Sequence, residues 1–201
     1  YWFTRAADSG NAAAQYQVAV MASQGAGGPK DEATAALYYK KSLQTWKKEA
    51  DDGDSKAALW AALVYERKLV PDSSPEKSVP YLLQAAESGN LTAQGLLAFK
   101  YRDGLGVPQD AAKAVEWFEK AASRKDLGAV MELGIMFRDG KYLPPDREKA
   151  FHWFEKGAEW KDPYSMAALA DMLLEGTPSA EQAARALALY REAAAAGYFP
   201  A

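Results

Sequence analysis

Apolar residues recur at helical spacing along the chain, and the same pattern of apolar and polar positions returns at regular intervals. Counting Asn90 as position 0, apolar side chains occupy positions 7, 8 and 11, which are Leu97, Ala98 and Tyr101. These positions share one face of a helix with 3.6 residues per turn. The pattern restarts after 36 residues, except for a first interval of 43. The starting positions are Asn11, Asp54, Asn90, Asp126 and Asp162. Five units in register indicate a repeat protein.

Each unit contains the signals of two helices, here called A and B. The Asn or Asp at position 0 is a good N-cap, because its side-chain oxygen accepts a hydrogen bond from an amide of the first turn. Gly at position 14, as in Gly104 and Gly140, ends helix A because it tolerates positive φ. Pro and Asp then open helix B, whose aromatic pair in the third unit is Trp117 and Phe118. We therefore interpret RDGLGVPQD at 102–110 as a turn between helices, since a phosphate-binding loop needs a preceding strand and a Lys-Ser/Thr pair.

These residues resemble the Sel-one-like repeat (SLR) family, a relative of the tetratricopeptide repeats. The stretches NLTAQGLLAFKYRDGLGVPQD at 90–110 and KAVEWFEKAA at 113–122 follow the family pattern of an Asn-capped helix, a Gly-Val-Pro-x-Asp turn and a Trp-Phe helix. The resemblance implies an all-α fold, a right-handed superhelical solenoid of about five helix-turn-helix repeats with the A helices lining its concave surface. It also implies an adaptor or scaffold. Bacterial members of the family include exported assembly factors, regulators and inhibitors of secreted toxins.

The repeat pattern predicts a single array over residues 1–201. Residues 1–10 match the end of a preceding repeat, and residues 198–201 match the start of a following helix or a tail. The repeats between them are 11–53, 54–89, 90–125, 126–161 and 162–197. The first repeat carries seven extra residues around LQTWKKE at 43–49, which predicts about two further turns of its helix B.

Other departures from the pattern predict local irregularities. The second repeat replaces the turn glycines with KLVPDSSPE at 68–76. Its Pro80 lies within helix B, where the missing amide and the ring should kink or delay the helix. Lys125 and Lys161 stand at junctions where the other repeats have Gly, so we expect these two junctions to be tighter or slightly strained.

Composition excludes several classes of function. The net charge is -3 and no run of basic residues is present, which disfavours nucleic-acid binding. No apolar run reaches the ~20 residues that cross a bilayer, so we expect no direct membrane insertion. Cysteine is absent, which excludes disulfides and zinc–thiolate sites. His152 is the single histidine, and with no second His or any Cys to accompany it we expect neither a metal site nor a catalytic triad around it. No cofactor signature appears, and we expect no catalysis.

Two aspartates at equivalent positions have the residue type of a catalytic pair. Asp103 and Asp139 lie one repeat apart, and paired carboxylates are typical of inverting glycosidases. Each follows an arginine in an Arg-Asp-Gly turn, Arg102 or Arg138. The sequence therefore predicts solvated ion pairs rather than catalytic groups.

The A helices carry apolar residues where solvent-facing polar residues are expected. At about 100° per residue, positions 5 and 9 point away from the core face, yet they are apolar over four repeats. Position 13 adds a polar rim. Either this stripe binds a partner, or neighbouring A helices bury it among themselves. The predicted partner-binding residues are Tyr16, Val20, Leu59, Trp60, Leu63, Arg67, Phe99, Arg102, Met131, Ile135, Arg138 and Trp160.

The tryptophans divide into two groups. Trp2, Trp117 and Trp153 occupy the aromatic position of helix B and are predicted core residues. Trp46 lies in the extra turns and is interpreted as packing of that extension. Trp60 and Trp160 lie off the pattern, where a tryptophan serves either local packing or an interface.

The sequence thus favours a non-catalytic scaffold that binds another protein or a peptide on the A-helix surface. One alternative is an immunity protein or inhibitor that blocks a toxin or enzyme. Another is a cell-wall or peptide-ligand binding protein, which would need a deep polar pocket with paired carboxylates. The oligomeric state and compartment are not assigned by the residues; the family resemblance alone favours an exported or periplasmic bacterial protein.

Overall fold

The computed structural model describes residues 2–198, which contain eleven α-helices and no strand. The helices are α1 (Trp2–Asp8), α2 (Ala12–Gln24), α3 (Glu32–Asp51), α4 (Ser55–Glu66), α5 (Pro75–Glu87), α6 (Leu91–Asp103), α7 (Ala111–Ala122), α8 (Leu127–Asp139), α9 (Arg147–Glu159), α10 (Pro163–Leu174) and α11 (Ala180–Ala195). This confirms the predicted all-helical repeat fold. Of the predicted segment 198–201, all but Tyr198 lies outside the described residues.

The predicted A helices are α2, α4, α6, α8 and α10, and each begins at the predicted cap. The side chain of Asn11 accepts a hydrogen bond from the Ala14 amide at 2.8 Å, and Asp126 accepts one from Ala129 at 2.9 Å. Asp54, Asn90 and Asp162 cap their helices in the same way. Helix α6 ends at Gly104, which has a φ of 72°. The caps therefore set the helix boundaries as the sequence predicted.

The chain divides into two compact units. The first comprises residues 1–109 and contains α1–α6; the second comprises 110–201 and contains α7–α11. Within each unit every helix packs against the next one along the chain. This nearest-neighbour packing is the arrangement of a repeat protein.

In the first unit, helix α3 is 20 residues long, whereas α5 has 13. The seven extra residues therefore extend a B helix, as predicted. Pro80 lies inside α5, but the helix already begins at Pro75, so the predicted delay is wrong. At the sixth position of α5, Pro80 cannot donate the helical hydrogen bond to the Glu76 carbonyl four residues earlier.

The first unit buries a lysine at a position that is apolar elsewhere in the repeats. Lys100 is 3% exposed. Its Nζ lies 2.7 Å from Oε1 of Glu66 and 3.3 Å from the Leu105 carbonyl oxygen. At 36-residue intervals the equivalent residues are Met136 and Met172, both buried. The helix therefore accepts a charge in its core face because a carboxylate is supplied beside it.

In the second unit, the core contains large side chains packed against small ones. Phe154 is fully buried and lies against Gly134, where an added Cβ would overlap the aromatic ring. Gly157 lies equally close to Ser165. The close approach of α8, α9 and α10 therefore depends on residues without side chains at these two points.

The junctions between repeats show the expected backbone strain. Gly10, Gly53, Gly89 and Gly197 adopt positive φ at their junctions. Lys125 and Lys161 do the same, with φ of 64° and 65°. A residue with a Cβ is disfavoured in this left-handed region, so the prediction of strain at these two lysines is confirmed.

Two predicted core tryptophans are buried and one is not. Trp117 and Trp153 are 7% and 8% exposed, as predicted. Trp2 is 77% exposed, so its assignment to the core is wrong. It lies at the start of α1, and the described residues do not cover it there. None of the described helices is long and apolar enough to cross a membrane.

Candidate partner-binding surface

Aromatic side chains from three helices meet on the first unit and form what we call the Trp60 patch, comprising Tyr16, Trp46, Trp60 and Arg67. Trp60 of α4 is 39% exposed, and its ring stacks on Trp46 of α3 with centroids 5.3 Å apart. Trp46 is 4% exposed and is the floor of the patch. Tyr16 of α2 lies 5.6 Å from each of these two rings. Two of the three predicted off-pattern tryptophans are therefore in direct contact.

Arg67 is the exposed charged residue of the Trp60 patch. Its Nη1 donates a hydrogen bond to the Tyr16 hydroxyl at 2.8 Å, which joins the end of α4 to α2. Tyr16 is held further by Tyr39 of α3, edge-on at 5.4 Å. These contacts fix the rotamers of the exposed groups before any partner arrives. A fixed aromatic surface loses little conformational entropy on binding.

Sequence reasoning placed Trp46 correctly as a packing residue but missed its role beneath Trp60. Trp46 lies in the seven-residue extension of α3, at a place with no counterpart in the other repeats. The signal was present as two off-pattern tryptophans on consecutive helices. Their contact depends on the relative rotation of α3 and α4, which a single sequence does not show.

Other predicted residues of the first unit are partly exposed. Val20, Leu59 and Leu63 each keep part of their surface accessible. Phe99 is also partly exposed, and the Arg102 guanidinium carbon lies 4.7 Å from its ring centroid. The apolar stripe of this unit is therefore not fully shielded by its own chain, and its role in binding stays a prediction.

The remaining predicted residues belong to the second unit. Met131 and Ile135 of α8 are partly exposed. Arg138 donates a hydrogen bond to Asp139 at 2.6 Å, and this bond is the main cause that raises the pKa of the guanidinium. Trp160 is the C-cap of α9, with the Lys156 amine 5.4 Å from its ring. Trp160 therefore ends a helix of the second unit.

The acidic residues considered for catalysis form ion pairs, as predicted. Arg102 donates from Nε and Nη2 to the two carboxylate oxygens of Asp103, both at 2.8 Å. Asp139 is paired with Arg138. His152 is exposed and lies edge-on to Trp153 at 5.3 Å. Within residues 2–198 no group of three or more His, Cys, Asp or Glu side chains is arranged to hold a metal ion.

The helical repeats and their caps agree with one known family. The Sel1 repeat matches residues 1–11, 12–44, 56–90, 92–126, 128–159 and 163–198. The chain belongs to the Sel1 repeat family. Sel1 repeat proteins generally mediate protein–protein interactions and are typically non-catalytic.

Solved structures of Sel1 repeat proteins share this fold. The chain is 28% identical, with a TM-score of 0.73, to a protective antigen of uropathogenic Escherichia coli strains that displays an SLR fold. The match covers 98% of this chain but only 41% of the antigen, so the chain spans about two fifths of that structure. A Sel1 repeat protein from Oxalobacter formigenes is 25% identical with a TM-score of 0.72, over 95% of this chain and 76% of its own.

Weaker matches carry no functional argument. An immunity protein from Pseudomonas aeruginosa is 17% identical with a TM-score of 0.46, over 95% of this chain and 72% of its own. Among curated proteins none matches the chain significantly.

Proposed function

We propose that this Sel1 repeat chain is a non-catalytic scaffold that holds a partner protein or peptide against its A helices, with the Trp60 patch as the anchor. Val20, Leu59 and Leu63 supply apolar surface from the same two A helices, α2 and α4. Arg67 adds a positive charge at the edge of the aromatic rings. The partner surface that complements this arrangement is an apolar side chain beside an acidic or hydrogen-bond-accepting group.

The observation that carries the proposal is the exposure of Trp60. Trp60 is 39% exposed although its ring stacks on the buried Trp46, so the residue still presents surface to solvent. Trp, Tyr and Arg are the residues that most often dominate binding energy, and truncation of such an anchor costs about 2 kcal/mol or more. An aromatic and arginine cluster with fixed rotamers therefore has the composition and rigidity of an interface centre.

The test is capture of partners by the wild-type chain and by matched variants. Trp60→Ala and Arg67→Ala remove exposed groups of the patch and leave the buried Trp46 floor in place. Leu37→Ala is the control, because Leu37 is 51% exposed on α3 and its position nine residues before Trp46 puts it on the opposite face of that helix.

We expect the amount of partner protein captured by the wild-type chain to fall at least tenfold with Trp60→Ala. With Leu37→Ala it should stay the same. In a titration, the purified partner should bind the wild-type chain and Leu37→Ala with similar affinity and Trp60→Ala more weakly. Partners that bind Trp60→Ala and Arg67→Ala as tightly as the wild-type chain would exclude this surface. Circular dichroism of every variant checks that the helices remain folded.

A further inference from the structure

A second concave site lies in the first unit, between helix α3 and the turn that joins α4 to α5. It is a cavity of about 340 Å³, lined by residues that include Leu43, Lys47, Tyr65 and Val70. It shares no lining residue with the Trp60 patch. Its size is near the lower end of the ~300–1,000 Å³ typical of small-ligand sites, which is enough for one or two amino-acid residues or a compound of similar size.

The cavity is made by the two segments that depart from the repeat pattern. Lys40, Leu43 and Lys47 lie on one face of α3, at spacings of three and four residues, and two of them belong to its extended part. Val70 and Asp72 belong to the turn that replaces the usual glycines. A regular repeat has neither segment, so this cavity is a property of these irregularities and not of the repeat in general.

The floor of the cavity is apolar and its edge is cationic. Leu43, Tyr65 and Val70 are each 7% or 8% exposed, so their side chains form a dry surface. Asp72 is an acidic residue on the edge, and it is paired with Lys77 outside the lining. The side chain of Asp72 is 89% exposed, so water as well as Lys77 screens its charge.

Lys47, at the edge of the cavity, interacts with two tyrosines. Electrostatic interaction with Tyr65 and Tyr81, aided by hydrogen bonds that the amine donates to their hydroxyls, raises the pKa of Lys47, while burial works against that rise. Tyr81 is itself partly buried, and that burial raises its own pKa, with Asp51 adding to the effect. The ion pairs within residues 2–198 join neither Lys47 nor Lys40 to a carboxylate.

From this arrangement we infer that the cavity binds a monoanionic carboxylate attached to an apolar body. The carboxylate lies at the Lys47 amine, with Lys40 adding a second positive charge at the edge. The apolar body covers Leu43, Tyr65 and Val70. Two sources present this chemistry, a free carboxylic acid with a short apolar chain and the C-terminal residue of a peptide ending in an apolar side chain. A charge-assisted hydrogen bond in a partly desolvated site distinguishes such ligands from neutral ones of the same shape.

The probes are hexanoate, N-acetyl-leucine and N-acetyl-leucinamide, each titrated into the ¹⁵N-labelled chain. The first two carry the carboxylate from the two sources, and the third keeps the leucine side chain without the charge. We expect the amide resonances of Leu43, Tyr65 and Val70 to shift with both acids. N-acetyl-leucinamide should bind at least tenfold more weakly than N-acetyl-leucine. If hexanoate binds more tightly than N-acetyl-leucine, the ligand is a free carboxylic acid; the opposite order indicates a peptide C-terminus.

Matched variants assign the binding to the cavity. Lys47→Met keeps the length of the side chain and removes the charge, and it should weaken binding of both acids about tenfold. Lys48→Met, at the neighbouring exposed position, should leave binding unchanged. Gln44→Trp places a large side chain from the exposed edge into the opening and should abolish binding without altering the buried floor.

Three results would overturn the inference. The first is equal affinity for N-acetyl-leucine and N-acetyl-leucinamide. The second is unchanged affinity of the folded Lys47→Met variant for both acids. The third is that the resonances that shift belong to residues outside the cavity. The Trp60→Ala variant should bind the acids as the wild-type chain does, since it leaves the cavity lining unchanged. Failure of partner binding at the Trp60 patch would therefore leave the carboxylate site untouched, and failure of carboxylate binding would leave the Trp60 patch untouched.

Discussion

The buried ion pair of Lys100 and Glu66 offers a quantitative test of how a repeat accommodates a charge in its core face. The side chain of Lys100 is 4% exposed, whereas that of Glu66 is 26% exposed. The lysine is thus the more strongly desolvated partner. Glu66→Ala would leave the ammonium with the Leu105 carbonyl oxygen at 3.3 Å as its hydrogen-bond acceptor.

The two single substitutions should therefore have unequal effects. Removing one partner of a buried ion pair destabilises a protein by about 3–5 kcal/mol, and the partial exposure of this pair places Glu66→Ala near the lower end, about 3 kcal/mol. Lys100→Met removes the desolvated charge and inserts the residue that the equivalent helices carry at Met136 and Met172. Oε1 of Glu66 is buried, but the side chain is 26% exposed and can turn its carboxylate toward water once Lys100 is replaced, so we expect a loss of about 1 kcal/mol or less.

The assay is urea unfolding at 25 °C followed by far-ultraviolet circular dichroism, with the double variant completing the cycle. Lys100→Met combined with Glu66→Ala should be more stable than Glu66→Ala alone by about 2 kcal/mol, because the unpaired ammonium is gone. Sodium chloride should change the coupling little, since a buried pair is weakly screened. Equal losses from both single variants, or a coupling below about 0.5 kcal/mol, would refute the reasoning.

Three further outcomes are expected. Gly134→Ala should lower the free energy of unfolding by about 1 kcal/mol or more in urea, because the new methyl group overlaps the buried Phe154 ring and outweighs the better helix propensity. Lys125→Gly should raise the free energy of unfolding by about 1 kcal/mol, seen as a higher Tm, because it relieves the positive φ at that junction. Burial, aided by a hydrogen bond to Asp171, raises the pKa of Tyr190 to about 12. Since the phenol ionises more readily in the unfolded chain, stability present below about pH 10 should fall as the pH rises to 12. Tyr190→Phe should reduce that alkaline fall in Tm, and an identical pH profile in the variant would exclude this contribution.

Helix boundaries were accessible from the sequence because capping is a local interaction. Asn11 and Asp126 accept hydrogen bonds from amides only three residues further along the chain, and Gly104 ends its helix through its own φ. The strain at Lys125 followed from the same logic, since the glycines at equivalent junctions identified the backbone conformation in advance.

The surfaces were less accessible because they depend on how one helix lies against another. The stacking of Trp46 on Trp60 requires the rotation of α3 about its axis relative to α4. The cavity beside Lys47 requires the path of an irregular turn across α3. Trp2 shows the opposite error, since a position that is buried in other repeats is exposed where the described chain places no helix over it.

The extension of α3 has a consequence for how such proteins diversify. Seven residues at about 100° each make a rotation of 700°, only about 20° short of two full turns, and they lengthen a helix by about 10 Å. An insertion of this size therefore keeps the inward face of the helix in phase while adding new outward positions, and in this chain it supplies both Trp46 and Lys47. An insertion of five residues would turn the distal half of the helix by about 140° and misalign its apolar face. Gains of whole heptads are thus a route by which one repeat acquires individual recognition groups while its neighbours remain unaltered.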